Sequence, residues 1–265
     1  MSKARIMYNM TVREVRAGLR ETKTVLVPTG VVEQHCYHLP LGTDIIVAQE
    51  IARMASEMTG CFVAPAVHYS FSGGMLPGTI NISPQTFSLV LMDIFRSLIT
   101  QGFANIVVVP GHGGTEAVRA IYDAAENFQR LSPGLEGKAI AVFRGVESKV
   151  FPEASRRAGG KPDYHAGLSE TSLIMHFRPD LAQMERAEQD RADILEMMLS
   201  DPDAYLVKTT KIGSRHVVPK AVQHPEIQVG VMGYYQGANA ELGRALAEER
   251  AKELAELVDQ LDHAG

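Results

Sequence analysis

The chain has 265 residues, 45% of them hydrophobic, and a formal net charge of −5, so we predict one domain over residues 1–265. Scattered Lys and Arg and an aromatic content of only 6% argue against a nucleic-acid partner. The first residues lack the features of a signal peptide, and no apolar run approaches the length of a membrane span, so we predict a cytoplasmic protein without membrane contact. Cys36 and Cys61 are the only cysteines, and we predict no disulfide between them.

Apolar runs alternate with amphipathic segments along the first half of the chain. Thr43 and Ser83 are placed to cap helices, and Gly60 and Gly102 to end them. In order, we predict a strand at 23–30, a helix at 43–58, a strand at 61–70, a loop at 70–83, a helix at 84–102 and a strand at 105–114.

The second half continues the same alternation. Ser169 is placed to cap a helix, and residues 148–166 and 200–230 remain unassigned because Pro and Gly are frequent there. In order, we predict a helix from 115, a strand at 138–146, a helix at 169–177 and a long helix at 238–262. Alternating strands and helices predict an α/β fold with a mostly parallel central sheet covered by helices on both faces, whose ligands gather beyond the carboxyl ends of the strands.

The stretch EQHCYHLPLGTD, residues 33–44, concentrates side chains that can bind a metal. Glu33 and His35 are two residues apart, so in extended backbone their side chains point the same way. Asp44 stands at a predicted helix start, where a carboxylate is favoured even without a ligand. Taken together, the carboxylates and imidazoles predict a site for Mn²⁺, Zn²⁺ or Fe²⁺.

Two further clusters follow later in the chain. GHGGTE places His112 at the end of an apolar strand between glycines, which let a ligand approach the backbone closely. HAGLSETS contains His165 and Glu170; the acid alone could be a first-turn residue, but this does not account for the histidine. All three clusters would serve a dinuclear site, in which the ions activate water and a histidine moves the proton.

These motifs resemble the creatininase (creatinine amidohydrolase) family. The resemblance spans about residues 22–250 and rests on PTGVVEQHCYHLPLGTDIIVAQEIA, LPGTINIS, VVPGHGGTEA, HAGLSETSLIM and GVMGYYQGANAELGRAL. It implies a three-layer α/β/α sandwich, two divalent metal ions (Zn, Mn or Fe) and a homo-oligomer, often a hexamer. It also implies a metal held by Glu33, Asp44 and His112, a second held by His35 and the bridging Asp44, and an acid/base role for His165.

The sequence departs from the family pattern at three places. Creatininase has a liganding Glu where this chain has Gly114. Glu170 is the first candidate for the missing ligand, and Glu116 is the second. Glu170 is also predicted to be catalytic. Relatives commonly have Gly-Pro at Cys36-Tyr37, and this thiol could bind metal, line the pocket or do neither. The segment SGGM replaces a loop that commonly carries a His, so the substrate-facing wall is altered.

A small polar substrate is expected in the predicted site. Residues predicted to contact it are Cys36, Tyr37, His38, Ser70, Gly113 and Tyr164. The leading hypothesis is hydrolysis of an amide C–N bond in a cyclic amide or formamide. Metal-dependent ring opening of a cyclic keto-polyol, with C–C cleavage, uses the same chemistry and stays open. A non-catalytic metal-binding protein on the same fold is the third hypothesis, and the retained His165 speaks against it.

Overall fold

A five-stranded parallel sheet forms the centre of the molecule in a computed structural model that describes residues 3–145, 156 and 159–264. The strands lie in the order β1-β3-β2-β4-β5. They are β1 (Arg5–Ile6), β2 (Thr24–Thr29), β3 (Phe62–Val63), β4 (Asn105–Pro110) and β5 (Ala139–Val142). The central strands β2 and β4 pair along their whole length and are buried throughout, which is why both read as continuous apolar runs.

Helices cover both faces of the sheet. They are α1 (Val12–Gly18), α2 (Thr43–Thr59), α3 (Pro84–Gln101), α4 (Thr115–Leu131), α5 (Leu168–Phe177), α6 (Ala192–Ser200) and α7 (Ala240–His263). Successive strand residues point to opposite faces, so Leu26 packs with α2, α5 and α7, whereas Val25 and Val27 pack with α1, α3 and α4. The predicted three-layer α/β/α sandwich with a parallel sheet is confirmed.

A smaller layer lies between α5 and α7 in the sequence, in the region that the sequence left largely unassigned. It contains α6, the 3₁₀ turns Met184–Arg186 and Pro202–Tyr205, and an antiparallel pair, β6 (Leu206–Thr209) with β7 (Lys220–Gln223). Its apolar residues form a cluster separate from the two cores of the sandwich. Within the described ranges, none of the helices combines the length and apolar character needed to cross a membrane.

The predicted strand at 61–70 is wrong in length. Only Phe62–Val63 is regular strand, with one isolated bridge between Thr29 and Val67 farther along. Pro65 has no N–H to give to a ladder, which interrupts the pairing. The strand predicted at 138–146 is shorter at Ala139–Val142, and its last residue lies outside the described part of the chain.

Two predicted caps are also wrong. Helix α2 follows Gly42, and the Thr43 hydroxyl donates to the carbonyl of Pro40 at 2.7 Å rather than capping the helix. Ser169 lies inside α5, because the Asp163 carboxylate reaches in and accepts hydrogen bonds from its N–H at 2.9 Å and its hydroxyl at 2.6 Å. The predicted cap at Ser83 and the glycine stops at Gly60 and Gly102 are confirmed.

Candidate metal centre

The predicted ligands meet beyond the carboxyl ends of β2 and β4. These neighbouring strands continue into helices on opposite faces of the sheet, α2 after β2 and α4 after β4. Loops leaving such a pair in opposite directions open a crevice, which is where open α/β sheets bind ligands. The fold therefore brings together segments that lie far apart in sequence.

The loop after β2 supplies Glu33 and His35. The ring Nδ1 of His35 lies 3.1 Å from the backbone oxygen of Glu33, a carbonyl that can only accept, so the proton sits on Nδ1 and Nε2 is free to bind. The next residue, Cys36, has a φ of +59° in the left-handed region, which turns the chain away immediately after His35. Both predicted side chains consequently face the same buried space.

Asp44 lies in the first turn of α2, and the chain after β4 passes directly over it. A Cβ added at Gly111 would lie 2.0 Å from the backbone oxygen of Asp44, so only glycine allows the crossing. This close approach carries His112 onto the Asp44 carboxylate. The need for glycine at position 111 is therefore steric, and the sequence alone did not reveal it.

The Asp44 carboxylate lies between the two imidazoles. One of its oxygens, Oδ1, lies 3.2 Å from Nε2 of His35, and the other, Oδ2, lies 3.3 Å from Nδ1 of His112. The same His112 nitrogen lies 3.2 Å from Oε2 of Glu33. On the other side, Nε2 of His35 lies 3.7 Å from Oε2 of Glu170. Two three-residue groups that share Asp44 result: Glu33, Asp44 and His112, and His35, Asp44 and Glu170.

These separations fit ligands of a common ion. Two atoms bound tetrahedrally at about 2.0–2.2 Å from one ion lie roughly 3.3–3.6 Å apart, close to the distances between imidazole and carboxylate here. Oε2 of Glu33, Nε2 of His35 and Oδ2 of Asp44 are buried and make no hydrogen bond to any described residue. Their contacts are the imidazole–carboxylate contacts described above. Because buried polar atoms normally make hydrogen bonds, three that converge without one indicate a missing ligand.

The structure brings Glu170, and not Glu116, into the cluster. Glu170 lies in the first turn of α5, and its Oε2 also accepts a hydrogen bond from Ala166 N at 2.6 Å. Glu116 belongs to none of the metal-capable groups of the described residues. At Gly114, an added Cβ would lie 2.4 Å from Nε2 of His112, so the imidazole occupies the space that a side chain there would need.

His165 stands beside the cluster and lines the cavity above it. Its Nε2 lies 2.8 Å from the backbone oxygen of Gln34, and its ring packs on the His35 ring at a centroid distance of 4.2 Å. The backbone carbonyl of Gln34 can only accept and lies closer to Nε2 than the Gln34 side-chain nitrogen at 3.2 Å, so we assign the proton to Nε2 and the lone pair to Nδ1. His165 also forms a third metal-capable group with Glu33 and His35.

Burial and charge shift the pKa values of these groups in different directions. Burial opposes the charged form of His35, but the Asp44 carboxylate outweighs it and raises the pKa of His35 to about 9. Burial, joined by the nearby charge of His35, lowers the pKa of His165 to about 4. Burial also raises the pKa of Glu170 to about 7, against the pull of His35. At neutral pH without metal, His35 is an imidazolium and His165 a neutral base.

Metal uptake at pH 7 is expected to release protons. In the metal-free protein His35 is protonated below about 9, and the pKa of His112 is likewise raised by Glu33 and Asp44 against the effect of burial. Metal binding must displace both of these protons and the part of a proton that Glu170 holds at its pKa of about 7, so we expect roughly two to three protons released at pH 7 and a metal affinity that rises with pH. Calorimetric titration of Mn²⁺ into metal-free protein, in buffers of different ionisation enthalpy, measures this number; heats that do not depend on the buffer would contradict it.

Only part of the predicted substrate-contacting set lines the cavity. Gly113 and Tyr164 do, whereas Cys36, Tyr37, His38 and Ser70 are not among the lining residues. His38 is buried with its Nε2 3.0 Å from Oγ1 of Thr171, and Ser70 is also buried. The Tyr37 side chain is 52% exposed.

Cys36 is directed away from the cluster. Its thiol donates to the backbone oxygen of Glu188 at 3.4 Å, and it belongs to none of the metal-capable groups of the described residues. Replacement of Cys36 by Ser keeps a donor at this position, so we expect metal content and KM to change by less than about twofold. Metal analysis and steady-state kinetics check this; loss of one metal equivalent would make the thiol a ligand.

The cavity is also lined by residues that the sequence analysis did not predict to contact substrate. It has a volume of about 420 Å³, and its lining includes Gln34, Leu76, Met198, Tyr205, Gln223, Ile227 and Met232 in addition to cluster residues. Most come from the smaller layer and its flanking loops, where the sequence offers no periodic signal. Met198 is 1% exposed and contributes to the cavity wall.

The sandwich fold and the buried carboxylate–imidazole cluster together define an α/β protein with a candidate metal site. A sequence model of the creatininase family, described as creatinine amidohydrolase, matches residues 8–258. The chain therefore belongs to the creatininase family of metal-dependent hydrolases.

Three relatives illustrate the range of activities named in this family. The mycofactocin precursor peptide peptidase of Mycolicibacterium smegmatis is 34% identical over 164 residues, 59% of this chain and 58% of that protein. The creatinine amidohydrolase of Pseudomonas putida is 26% identical, over 70% of this chain and 76% of that protein. The 3-dehydro-scyllo-inosose hydrolase of Thermotoga maritima is 28% identical, over 67% of this chain and 58% of that protein. The match thus spans less than two thirds of the peptidase and of the inosose hydrolase.

A solved creatininase structure has the same fold. A mutant creatininase described as the Zn-Zn type superposes with a TM-score of 0.76, covering 98% of this chain and 99% of that one at 20% sequence identity. At this identity the likeness establishes the fold and does not by itself assign a substrate.

Proposed function

We propose that this protein is a dinuclear metal hydrolase that cleaves an amide C–N bond. The observation that carries the proposal is the Asp44 carboxylate, whose two oxygens face two different imidazoles, at 3.2 Å from His35 and 3.3 Å from His112. A carboxylate held in this way is placed to bridge two ions. No other carboxylate of the described residues belongs to both the His112 group and the Glu170 group.

The two groups assign ligands to the two ions. Glu33, Asp44 and His112 would hold one, and His35, Asp44 and Glu170 the other. Mixed imidazole and carboxylate ligands suit Zn²⁺, Mn²⁺ and Fe²⁺. Glu170 would then supply the ligand that Gly114 cannot, which is consistent with its place 3.7 Å from Nε2 of His35.

When bound, such ions lower the pKa of water and polarise a carbonyl group. The protein's own contribution to the chemistry is proton transfer and positioning. His165 is neutral at pH 7 with Nδ1 free, so it can accept a proton from the attacking water and return it to the leaving nitrogen. The Gln34 carbonyl fixes the tautomer, and packing on His35 fixes the ring.

Two of the named relatives support an amide bond as the target, because their names describe an amidohydrolase and a peptide peptidase. The third, the inosose hydrolase of Thermotoga maritima, keeps ring opening of a cyclic keto-polyol as a second candidate. The same cluster would serve both reactions, and turnover of amides against cyclic keto-polyols separates them.

Other expectations remain proposals. We propose a single domain that acts on a small-molecule substrate in the cytoplasm as a homo-oligomer, a hexamer by family resemblance, without a nucleic-acid or membrane partner. Size-exclusion chromatography with light scattering measures the assembly directly.

Metal content is the first test of the proposed function. Protein purified without a metal-affinity tag is expected to hold about two equivalents per chain, and Glu170→Gln about one, because the amide is a weaker ligand than the carboxylate. Inductively coupled plasma mass spectrometry on both proteins measures the difference.

Glu116→Gln is the matched control, since Glu116 is a first-turn acid of α4 outside the metal-capable groups. It should keep both equivalents. Loss of metal from Glu116→Gln but not from Glu170→Gln would reverse the assignment. If the wild type contains no metal and takes up neither Mn²⁺ nor Zn²⁺, the hypothesis of a metal-dependent hydrolase is wrong, and a non-catalytic binding role should be tested instead.

A further inference from the structure

Part of the cavity lining is apolar and does not belong to the main cores. Met198 and Ile227 are buried at 1% and 4% exposure, and Leu76 and Met232 pack against them half-buried. These four residues, here called the apolar wall, all line the cavity. If they only filled a core, Leu76 and Met232 would not remain partly accessible beside a cavity of about 420 Å³.

The apolar wall begins immediately beside the metal cluster. Met232 pairs with His165 through two backbone hydrogen bonds, from Met232 N to His165 O at 2.8 Å and from His165 N to Met232 O at 3.3 Å. On the other side, the Cβ position of Gly74 lies 3.5 Å from Oε1 of Glu33, two residues before Leu76. A group held at the cluster would therefore place its neighbouring substituent against this wall.

Hydrogen bonds fix the loop that carries Leu76. The Tyr205 hydroxyl donates to the Ser72 carbonyl at 2.7 Å, and the Gln223 side-chain oxygen accepts from the N–H of Met75. These hydrogen bonds connect residues 72–76 to the smaller layer. The wall is therefore built before any ligand arrives, which lowers the entropic cost of binding.

The charged groups elsewhere in the lining do not favour an anionic substituent. Asp163 already accepts hydrogen bonds from Ser169, and Asp203 accepts one from the Thr115 hydroxyl. The cationic side chain of Arg250, on α7, also lines the cavity, but it is 4% exposed and the nearby carboxylates of Glu170 and Asp163 offset its charge. The cavity volume is within the range of roughly 300–1,000 Å³ that holds ligands larger than a single small ring.

We propose that the apolar wall is a specificity subsite for an aliphatic or aromatic side chain next to the scissile bond. The substrate class is then a carboxamide that carries an apolar substituent, such as a peptide-like amide, rather than a small polar ring alone. This inference rests on the proposed amide hydrolysis at the cluster. Leu76, Met198, Ile227 and Met232 would determine the choice of substituent.

Straight-chain hydroxamates test the wall without turnover, because the hydroxamate group binds divalent metal and the alkyl chain reports its surroundings. Calorimetry on the Mn²⁺-loaded enzyme compares the acetyl, butyryl and hexanoyl compounds. We expect Kd to fall by about two- to fourfold per methylene, the ratio for burial of a methylene against an apolar surface. Met232→Gln should flatten this dependence, weakening the hexanoyl compound more than the acetyl compound. Met58→Gln, at an exposed methionine of α2, is the matched control and should behave like the wild type.

Turnover of a matched amide pair separates this inference from the proposed function. N-acetyl-leucinamide is expected to exceed N-acetyl-glycinamide in kcat/KM by at least tenfold. Equal turnover of both amides, with a Kd independent of chain length, overturns the apolar subsite and leaves amide hydrolysis standing. A clear chain-length dependence without turnover of either amide overturns amide hydrolysis and leaves the apolar wall as a binding feature. Absence of metal and hydroxamate binding overturns both.

Discussion

Asp44→Ala is expected to remove both metal ions and all hydrolytic activity. Asp44 is the residue shared by the two metal-capable groups, and each of its oxygens faces a different imidazole. Its removal would take a ligand from each of the two proposed ions and leave His35 and His112 without the carboxylate that lies between them. Metal content should fall from about two equivalents per chain to nearly none, as measured by mass spectrometry after dialysis.

The controls separate loss of ligand from loss of fold. Asp93→Ala removes an exposed carboxylate of α3 and should keep both ions. Asp44→Asn keeps the size of the side chain but one oxygen only, so it should hold at most one ion. Thermal unfolding of each variant without metal shows whether the sandwich is intact. Full metal content in Asp44→Ala would mean that the bridging ligand is another residue.

His165→Ala is expected to keep both ions and lose turnover by about 10²- to 10⁴-fold, the usual contribution of a general acid–base residue. The variant removes the neutral base that lines the cavity and leaves the groups around Asp44 in place. Steady-state kinetics and metal analysis are made on the same preparation. The fall should be in kcat rather than in KM, because the side chain acts on the proton and not on substrate affinity.

The metal content of His165→Ala also distinguishes two roles. His165 forms a metal-capable group with Glu33 and His35, so a loss of one equivalent would make it a ligand rather than a proton carrier. His263→Ala, at an exposed histidine near the end of α7, should match the wild type in both measurements. If His165→Ala keeps the full kcat, another group transfers the proton and the acid–base role of His165 is wrong.

Most of the sandwich could be predicted because its signals are local. The strands at Thr24–Thr29 and Asn105–Pro110 are continuous apolar runs, and the helix at Pro84–Gln101 has a serine cap and a glycine stop. The errors occur where a distant group replaces a local signal. Asp163 performs at Ser169 what a capping side chain would do, and no spacing in the sequence reveals that contact.

The candidate ligands were predictable as residue types, because carboxylates and imidazoles stand next to strand ends and helix starts. The residues that line the substrate cavity were not predictable in the same way. Of six residues expected to contact substrate, Gly113 and Tyr164 line the cavity, while Cys36 turns toward the Glu188 carbonyl. The direction of a side chain in an irregular loop depends on backbone angles that residue type does not determine.

The sequence by itself determined the α/β class, the order of the main elements and the set of groups able to bind metal, since each follows from local periodicity and side-chain chemistry. Only the tertiary structure decided that Glu170 rather than Glu116 reaches His35, that Asp44 lies between two imidazoles, and that an apolar wall adjoins His165. These features depend on the packing of α2, α5 and the smaller layer around the ends of β2 and β4. Contacts between different loops and helices of the fold leave no trace in the local pattern of a single chain.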